Sequence, residues 1–283
     1  MQFLSPATWA EALAVKADLP DATPIAGGTD VMVELNFRRH RPPALLDLTR
    51  VPGLASWSLE GGRIRVGAGL PYSRIMDELG GRLPGLAMAS RTVGSPQIRN
   101  RGTLGGNLGS ASPAGDGHPP LLAGGAEVEL ASVRGVRTVP VAEFFTGPKR
   151  SVMAVDELIA AVLVAPAEGP EQFAKVGTRN AMVIAVGSFA LALHPSRQAV
   201  GTGVGSAGPT PLRAPEAEEF AAAHLPWESR AALDPETARR FGELVSAAAS
   251  PIDDVRGSAA YRRHALAVLA RRTLTWAWSE LCG

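Results

Sequence analysis

The spacing of hydrophobic and polar positions divides the first part of the chain into short helices and strands. Apolar residues at helical spacing predict a first helix that starts after Ser5 and a second helix over residues 31–37. Residues 44–48 form a short apolar strand, and Arg63–Gly67 alternates polar and apolar positions as a half-buried strand does. Residues 25–48 therefore predict a β-turn-α-β unit, in which ligands usually bind where the first strand ends.

A change of pattern divides the chain into two predicted domains. Residues 165–170 are rich in proline and glycine, and apolar periodicity stops there. Earlier elements, which include helices, strands and one apolar segment, are predicted over residues 71–79, 84–93, 127–131, 137–141 and 156–164. Later elements, three antiparallel strands and two helices, are predicted over residues 172–176, 183–193, 199–205, 235–245 and 261–276. The prediction is an α+β chain with one domain at residues 1–168, divided into subdomains at about 1–55 and 56–168, and a second at residues 169–283.

The composition is that of an ordinary folded protein. The chain has 283 residues, 46% of them hydrophobic, which is enough for two cores, and its net charge of +1 favours neither nucleic acid nor an acidic membrane. The one cysteine, Cys282, excludes an intrachain disulfide and an iron–sulfur cluster held by several thiolates. The beginning lacks the regions of a signal peptide, and the most apolar run, residues 181–193, is too short for a bilayer. We predict a cytoplasmic protein without a membrane span.

Two glycine-rich segments carry the candidate chemistry. Eight of the 31 glycines fall between Gly102 and Gly125, within and just after a polar segment that covers residues 94–116 and is predicted to be a long loop. Residues 24–30 have the same character. Glycine lets a ligand lie directly on backbone N–H groups, and successive N–H groups in a turn form a site for phosphate. Two such segments predict one long, two-ended cofactor.

Other common chemistries find no support in the sequence. Neither glycine-rich segment has the pattern of a Walker A loop or of a Rossmann dinucleotide site. Ser110 and Ser112 lack the pattern of a hydrolase nucleophile. The five histidines are scattered without metal-ligand spacing, and we expect His118 to be a solvated loop residue. They are His40, His118, His194, His224 and His264.

The two segments together resemble a known family. Ala26-Gly-Gly-Thr-Asp30 and Gln97-Ile-Arg-Asn-Arg-Gly-Thr-Leu-Gly-Gly-Asn107 are similar to the FAD-binding medium subunits of molybdenum hydroxylases such as xanthine dehydrogenase and aerobic carbon monoxide dehydrogenase. The resemblance continues through residues 173–186 and 251–263 and covers nearly the whole chain. It implies a vanillyl-oxidase-like FAD domain of two subdomains, followed by a small α+β domain with a three-stranded antiparallel sheet and helices.

The resemblance also implies which residues contact a non-covalent FAD. Ile159 and Lys175 occupy positions that flank the flavin ring in relatives, and Lys175 would favour the anionic reduced flavin. Val93 stands where animal xanthine dehydrogenases have phenylalanine. The other expected contacts are Thr23, Pro24, Ile25, Ala26, Gly27, Gly28, Thr29, Asp30, Thr103, Leu104, Gly105, Gly106, Asn107, Ser110 and Asp116.

The function implied is electron transfer, with no catalytic side chain of its own. Electrons would come from [2Fe–2S] clusters on a small partner subunit, after a molybdenum–pterin large subunit oxidises the substrate, and would pass to NAD or another acceptor. A dimer of heterotrimers is the expected assembly. Residues 41–52 are nearer to the xanthine dehydrogenase type. The alternatives are a carbon monoxide dehydrogenase medium subunit, a free-standing FAD-dependent oxidase and a scaffold protein that has lost its flavin.

Overall fold

The computed structural model describes residues 1–37 and 41–283, so that His40 lies outside the described residues. The strands, in chain order, are β1 (Gln2–Leu4), β2 (Thr23–Ile25), β3 (Ala44–Asp47), β4 (Trp57–Glu60), β5 (Arg63–Gly67), β6 (Glu127–Ser132), β7 (Gly135–Pro140), β8 (Phe145–Gly147), β9 (Arg150–Ser151), β10 (Leu158–Val164), β11 (Glu171–Val176), β12 (Gly187–His194) and β13 (Ala199–Gly205). The α-helices are α1 (Trp9–Asp18), α2 (Val31–Asn36), α3 (Tyr72–Leu79), α4 (Pro84–Thr92), α5 (Pro96–Arg99), α6 (Leu104–Ser110), α7 (His118–Ala123), α8 (Val141–Phe144), α9 (Pro215–His224), α10 (Pro235–Ala248) and α11 (Ala259–Cys282).

The first sheet has three parallel strands in the order β1-β3-β2. After β2 the chain passes through a turn into α2, and it then returns to the sheet as β3, as the pattern of residues 25–48 predicts. Helix α1 begins later than predicted. Its N-cap is Thr8, whose hydroxyl accepts from the Glu11 N–H while the Glu11 carboxylate accepts from the Thr8 N–H. This reciprocal pair is a capping box that satisfies two N–H groups at the start of α1, whereas the Ser5 hydroxyl donates to Asp47 at 3.3 Å.

The second sheet is antiparallel and carries the largest core. Its strand order is β4-β5-β10-β6-β7. Alternate residues of the central strands, among them Ile64, Val66, Val128 and Val162, are fully buried against α3, α4 and α6. Val162 and Val164 on β10 lie in this core. On the other face, Ala161 and Leu163 pair with Glu129 and Glu127 of β6, which form ion pairs with arginines of β5.

The third sheet, β11-β12-β13, is antiparallel and packs against α9, α10 and α11. Phe189, Phe241 and Trp278 are buried in its core. This confirms the small α+β domain with a three-stranded sheet. In residues 1–37 and 41–283, no helix combines the length and apolarity needed to cross a membrane.

The prediction of one long loop over residues 94–116 is wrong, because the segment contains α5 and α6 and leads directly into α7. Glycine has low helix propensity, and for this reason the sequence pattern favours a loop. The tertiary structure overrides that preference, since Leu104 and Leu108 on α6 are fully buried in the main core. The segment is thus a packed part of the domain with one open face.

Candidate cofactor site

The two glycine-rich segments are in direct backbone contact. A Cβ added to Gly27 would lie 1.8 Å from the carbonyl oxygen of Arg101, so only glycine fits there. The Thr29 hydroxyl lies beside Gly102, 3.4 Å from where that residue's Cβ would be. Gly28 has φ +74°, a conformation that glycine adopts without strain. The structure therefore brings the two predicted segments to one place.

Helix α6 presents a face without side chains beside this contact. Its N-cap, Thr103, accepts from the Gly106 N–H at 3.0 Å. Gly106 and Gly109 are exposed, whereas Leu104 and Leu108 on the opposite side are buried. A Cβ on Gly106 would meet only the Thr103 hydroxyl. The open face of α6 is therefore bare backbone, which a ligand can approach at van der Waals distance.

Ile159 forms part of the apolar surface next to α6. It lies on β10, where the pairing register with β6 shifts between Ile159 and Ala161. Its Cδ1 atom is 3.8 Å from where a Gly109 Cβ would be. An apolar side chain at the end of a backbone cradle is the arrangement expected for a ring that adjoins a diphosphate chain.

Asn107 connects α6 to the segment that carries Asp116. Its side-chain oxygen accepts from the Gly117 N–H at 3.2 Å, and its backbone oxygen lies 3.1 Å from Nε2 of His118. The Ser110 hydroxyl donates to the same backbone oxygen at 2.9 Å. Asn107 thus fixes the position of Asp116 relative to the glycine face.

The expectation that His118 is a solvated loop residue is wrong. His118 is the first residue of α7 and is completely buried, with its ring 4.6 Å from that of Phe145. Burial lowers the pKa of its imidazole to about 4, against the opposing effect of the hydrogen bond to Asn107. The ring is therefore neutral at physiological pH and serves packing rather than charge.

Lys175 and Asp116 form a buried ion pair. The Lys175 Nζ atom lies 2.6 Å from Oδ2 of Asp116, and both side chains are about 90% buried. The same ammonium donates to the backbone oxygens of Thr92 at 2.9 Å and Val183 at 3.2 Å. A lysine has three N–H donors, and here all three are used within the chain. The expected direct effect of Lys175 on a reduced flavin is thereby reduced, because Asp116 neutralises its charge.

Asp116 retains an unused acceptor. Its Oδ2 atom accepts from Lys175 and from the Thr92 hydroxyl, whereas Oδ1 is buried and has no partner in the described part of the chain. Burial raises the pKa of this carboxyl group, and the Lys175 ammonium opposes the shift. The hydroxyl of Tyr72 is likewise buried and without a partner in residues 1–37 and 41–283. Unpaired buried acceptors and donors are costly, and a bound hydroxyl-bearing ligand would satisfy them.

These features fit FAD. The glycine face of α6 and the Gly27–Arg101 contact offer backbone to a diphosphate, Ile159 offers an apolar wall, and Oδ1 of Asp116 offers an acceptor to a polyol hydroxyl. Thr23, Pro24 and Ile25 lie on β2, which leads into the turn formed by residues 26–30. Val93 is half-buried at the end of α4, next to Thr92.

A cavity of about 510 Å³ adjoins the Lys175 end of the site. It lies between the end of α4 and the loop after β11. Its cationic lining residues are Arg91, Arg99, Lys175 and Arg179, and none of its described lining residues is acidic. Arg99 and Arg179 are held by backbone oxygens, those of Val93 and Gly94 for Arg99 and those of Ala181 and Met182 for Arg179.

Two residues that surround Asp116 and Lys175 were not predicted from the sequence. Thr92 supplies both a hydroxyl to Asp116 and a carbonyl to Lys175, and Tyr72 places its hydroxyl beside Gly117. Neither belongs to a glycine-rich segment, and each reaches the site only because α3 and α4 pack there. No local sequence signal marks such residues.

The comparisons with known proteins agree with this geometry. Residues 1–167 match the family described as the FAD binding domain in molybdopterin dehydrogenase, and residues 172–277 match the CO dehydrogenase flavoprotein C-terminal domain. The chain is 32% identical to the nicotine 6-hydroxylase medium subunit of Paenarthrobacter nicotinovorans, over 97% of this chain and 96% of the relative. It is 30% identical to the xanthine dehydrogenase FAD-binding subunit of Escherichia coli O157:H7, over 95% of this chain and 93% of the relative.

Among solved structures, carbon monoxide dehydrogenase from Hydrogenophaga pseudoflava, in a form that lacks the Mo-pyranopterin moiety, superposes with a TM-score of 0.89. The match covers 99% of this chain and 98% of that one at 27% identity. The match of both domains and the identities over nearly full length lead to one conclusion. The chain belongs to the FAD-binding medium subunits of the molybdenum hydroxylase family.

Proposed function

We propose that the chain is the electron-transfer subunit of a xanthine-dehydrogenase-type molybdenum hydroxylase, with FAD bound along the open face of α6. The observation that carries the site is the bare glycine face of α6, a helix that follows Arg101, which is in backbone contact with the Gly27 turn. Bound FAD supplies the redox chemistry, and the protein supplies its position.

Each group of site residues has a distinct task in this proposal. The backbone N–H groups of the turn at residues 26–30 bind the diphosphate, which lies against the bare backbone of α6 at Gly106. The Gly106 N–H itself is held by the Thr103 side chain, which keeps the start of α6 in place. Oδ1 of Asp116 accepts a hydrogen bond from the cofactor's polyol chain. Lys175 holds Asp116, Thr92 and Val183 together rather than contacting the ring through a free N–H. Ile159 and Val93 pack against the ring.

The xanthine type is the favoured substrate class. Residues 41–52 support it, because they are similar to those of xanthine-dehydrogenase-type subunits. The relatives act on different compounds at nearly equal identity, 32% for the nicotine enzyme and 30% for the xanthine enzyme. The substrate itself binds on another polypeptide in this proposal, so a substrate assay of the complex decides between the types.

Partners follow from the cysteine content. A chain with only Cys282 holds no iron–sulfur cluster with several thiolate ligands, so its electrons must come from another subunit. We propose a small [2Fe–2S] subunit and a large molybdenum–pterin subunit, assembled as a dimer of heterotrimers. The cationic cavity beside Lys175 supports an anionic acceptor of the pyridine dinucleotide class, such as NAD.

Substrate-driven reduction of the flavin is expected to require the partners. The isolated chain with FAD should not oxidise xanthine, nicotine or carbon monoxide, because in this proposal the site that activates the substrate lies on the molybdenum–pterin subunit. In the reconstituted three-subunit complex, xanthine should bleach the flavin absorbance in a stopped-flow experiment, and NAD should restore it. Flavin bleaching by carbon monoxide but not by xanthine would assign the complex to the carbon monoxide dehydrogenase type.

The same assay tests the electron-transfer role itself. Turnover by the metal-free isolated chain at an enzymatic rate, about 1 s⁻¹ or more, would show a free-standing oxidase and contradict the proposal. A purified chain that neither contains nor takes up FAD would show a scaffold protein.

The flavin is expected to be held without a covalent bond. Cys282 is exposed at the end of α11, and His118 is buried with Nε2 directed at the Asn107 backbone oxygen, so neither presents a free nucleophile to the α6 face. Precipitation of the holoprotein with acid should leave all yellow colour in the supernatant. Flavin fluorescence in the washed, denatured pellet would contradict this.

A further inference from the structure

One face of β11 lies along the whole length of α4. Glu171, Phe173 and Lys175 alternate along the strand and therefore point to the same side. On the helix, Gly85 meets Glu171, and Thr92 meets Lys175. Between these contacts, Phe173 and Ala89 belong to one buried apolar cluster. The strand and the helix run in the same direction, so each end of α4 has its own partner on β11.

The partners have the charges that the helix ends favour. The Glu171 carboxylate accepts from the Gly85 N–H at 2.9 Å in the first turn of α4, where the N-cap residue Leu83 provides no side-chain acceptor. The Lys175 ammonium donates to the Thr92 carbonyl in the last turn. A negative group at the N-terminus and a positive group at the C-terminus complement the helix dipole.

We infer that Glu171 is a positioning residue, which fixes α4 against β11 and thereby places the Thr92–Asp116–Lys175 cluster for FAD. The inference rests on the proposed cofactor site, but Glu171 itself is outside that site. It touches the start of α4, whereas the cluster lies at the helix's other end. If the carboxylate is removed, the first turn loses its acceptor and α4 can shift along the strand.

The surroundings of Glu171 make this contact sensitive to pH. The side chain is buried, and burial raises the pKa of its carboxyl group to about 7, against the effect of the Gly85 N–H. In the described part of the chain, its hydrogen-bond partner is this N–H, and the neighbouring cluster of Phe173 and Ala89 is apolar. The pKa of the Glu171 carboxyl group is higher in the folded protein than its ordinary value. The stability that the buried, protonated group contributes is therefore complete below about pH 4.5 and is lost as the pH rises through 7.

The test compares two substitutions at this position in the full-length apoprotein, titrated with FAD. Glu171→Ala removes the acceptor and is expected to weaken FAD binding roughly tenfold, the effect of one lost hydrogen bond to a charged group. Glu171→Gln keeps an acceptor oxygen for the Gly85 N–H and should bind FAD within about twofold of the original protein. Equal affinity of all three proteins would overturn the inference.

Matched variants separate positioning from general stability. Val200→Ala truncates a buried side chain in the other core of the same domain and should lower the melting temperature without changing FAD affinity. If Val200→Ala weakens FAD binding as much as Glu171→Ala, the effect is general and the inference fails. Glu168→Ala, at an exposed carboxylate near the start of β11, should change neither quantity.

Two further readouts complete the experiment. Lys175→Met should weaken FAD binding. If Lys175→Met weakens FAD binding and Glu171→Ala does not, the inference about Glu171 fails but the proposed site stands. If neither variant changes the affinity for FAD, the proposed site is wrong. The melting temperature of Glu171→Gln relative to the original protein should rise between pH 5 and pH 8, because the amide has no charge to bury. A difference that does not change with pH would contradict the buried, titrating carboxylate.

Discussion

Gly27→Ala is expected to weaken FAD binding by roughly 100-fold or more, a loss of at least about 2.7 kcal/mol. The added Cβ would lie 1.8 Å from the Arg101 carbonyl oxygen. This obstacle is backbone, which cannot rotate away as a side chain can, so the turn must move away from residues 101–102, which lead into α6. A diphosphate held between the two then loses one of its two walls. Purified protein should contain little flavin by absorbance and should bind little on titration.

Two other glycines provide the controls. Gly81 has no atom within 4 Å of where its Cβ would be, so Gly81→Ala should keep full flavin occupancy. Gly106 is exposed, and its Cβ would meet only the Thr103 hydroxyl. Gly106→Val should therefore keep the fold, shown by an unchanged circular dichroism spectrum, while its side chain fills the cofactor's space. Full flavin occupancy in Gly27→Ala or in Gly106→Val would mean that FAD lies elsewhere.

Asp116→Ala is expected to reduce the free energy of unfolding of the apoprotein by about 3 kcal/mol. It leaves the Lys175 ammonium buried with only two carbonyl partners and no opposite charge. Lys175→Met should cost less, because the remaining carboxyl group can take up a proton. Its pKa is already raised by burial, and loss of the ammonium raises it further. Urea unfolding measured by circular dichroism gives both values.

The double variant and an exposed pair sharpen this measurement. Asp116→Ala with Lys175→Met should be less destabilising than the sum of the single changes, because no unpaired charge remains. Arg63 and Glu127 also form an ion pair, but each side chain is about one-third exposed. Arg63→Met should therefore change the stability by no more than about 1 kcal/mol. Additive effects at Asp116 and Lys175 would show that the pair is not coupled.

The sequence predicts several of the strands closely. Residues 63–67, 172–176 and 199–205 are strands within one residue of the predicted bounds. The alternation of apolar and polar residues along each strand shows which of its two faces is buried, and this pattern can be seen in the strand's own sequence. The β-turn-α-β unit at residues 25–48 was predictable for another local reason. The glycines in its turn indicate a place where another backbone segment or a ligand comes too close for any larger residue.

The errors arise where tertiary packing overrides local preference. Helix α6, with the sequence Leu-Gly-Gly-Asn-Leu-Gly-Ser, would not be stable alone, and burial of Leu104 and Leu108 stabilises it. His118 follows a polar segment and resembles a solvated residue, but α7 carries it into the core. In both cases the deciding contacts are remote in the sequence.

The sequence by itself was enough to indicate the family and, through that resemblance, the cofactor, together with several of the strands, because glycine-rich segments and alternating strands are local patterns. Only the tertiary structure decided how the site is charged. Asp116 and Lys175 are 59 positions apart, and Thr92 and Lys175 are 83 positions apart. A lysine that faces the flavin would stabilise the anionic reduced ring, whereas a lysine that is neutralised by a carboxylate has little such effect. The packing of α4 on β11 decides between them, because two buried charges are stable only when brought within hydrogen-bond distance of each other.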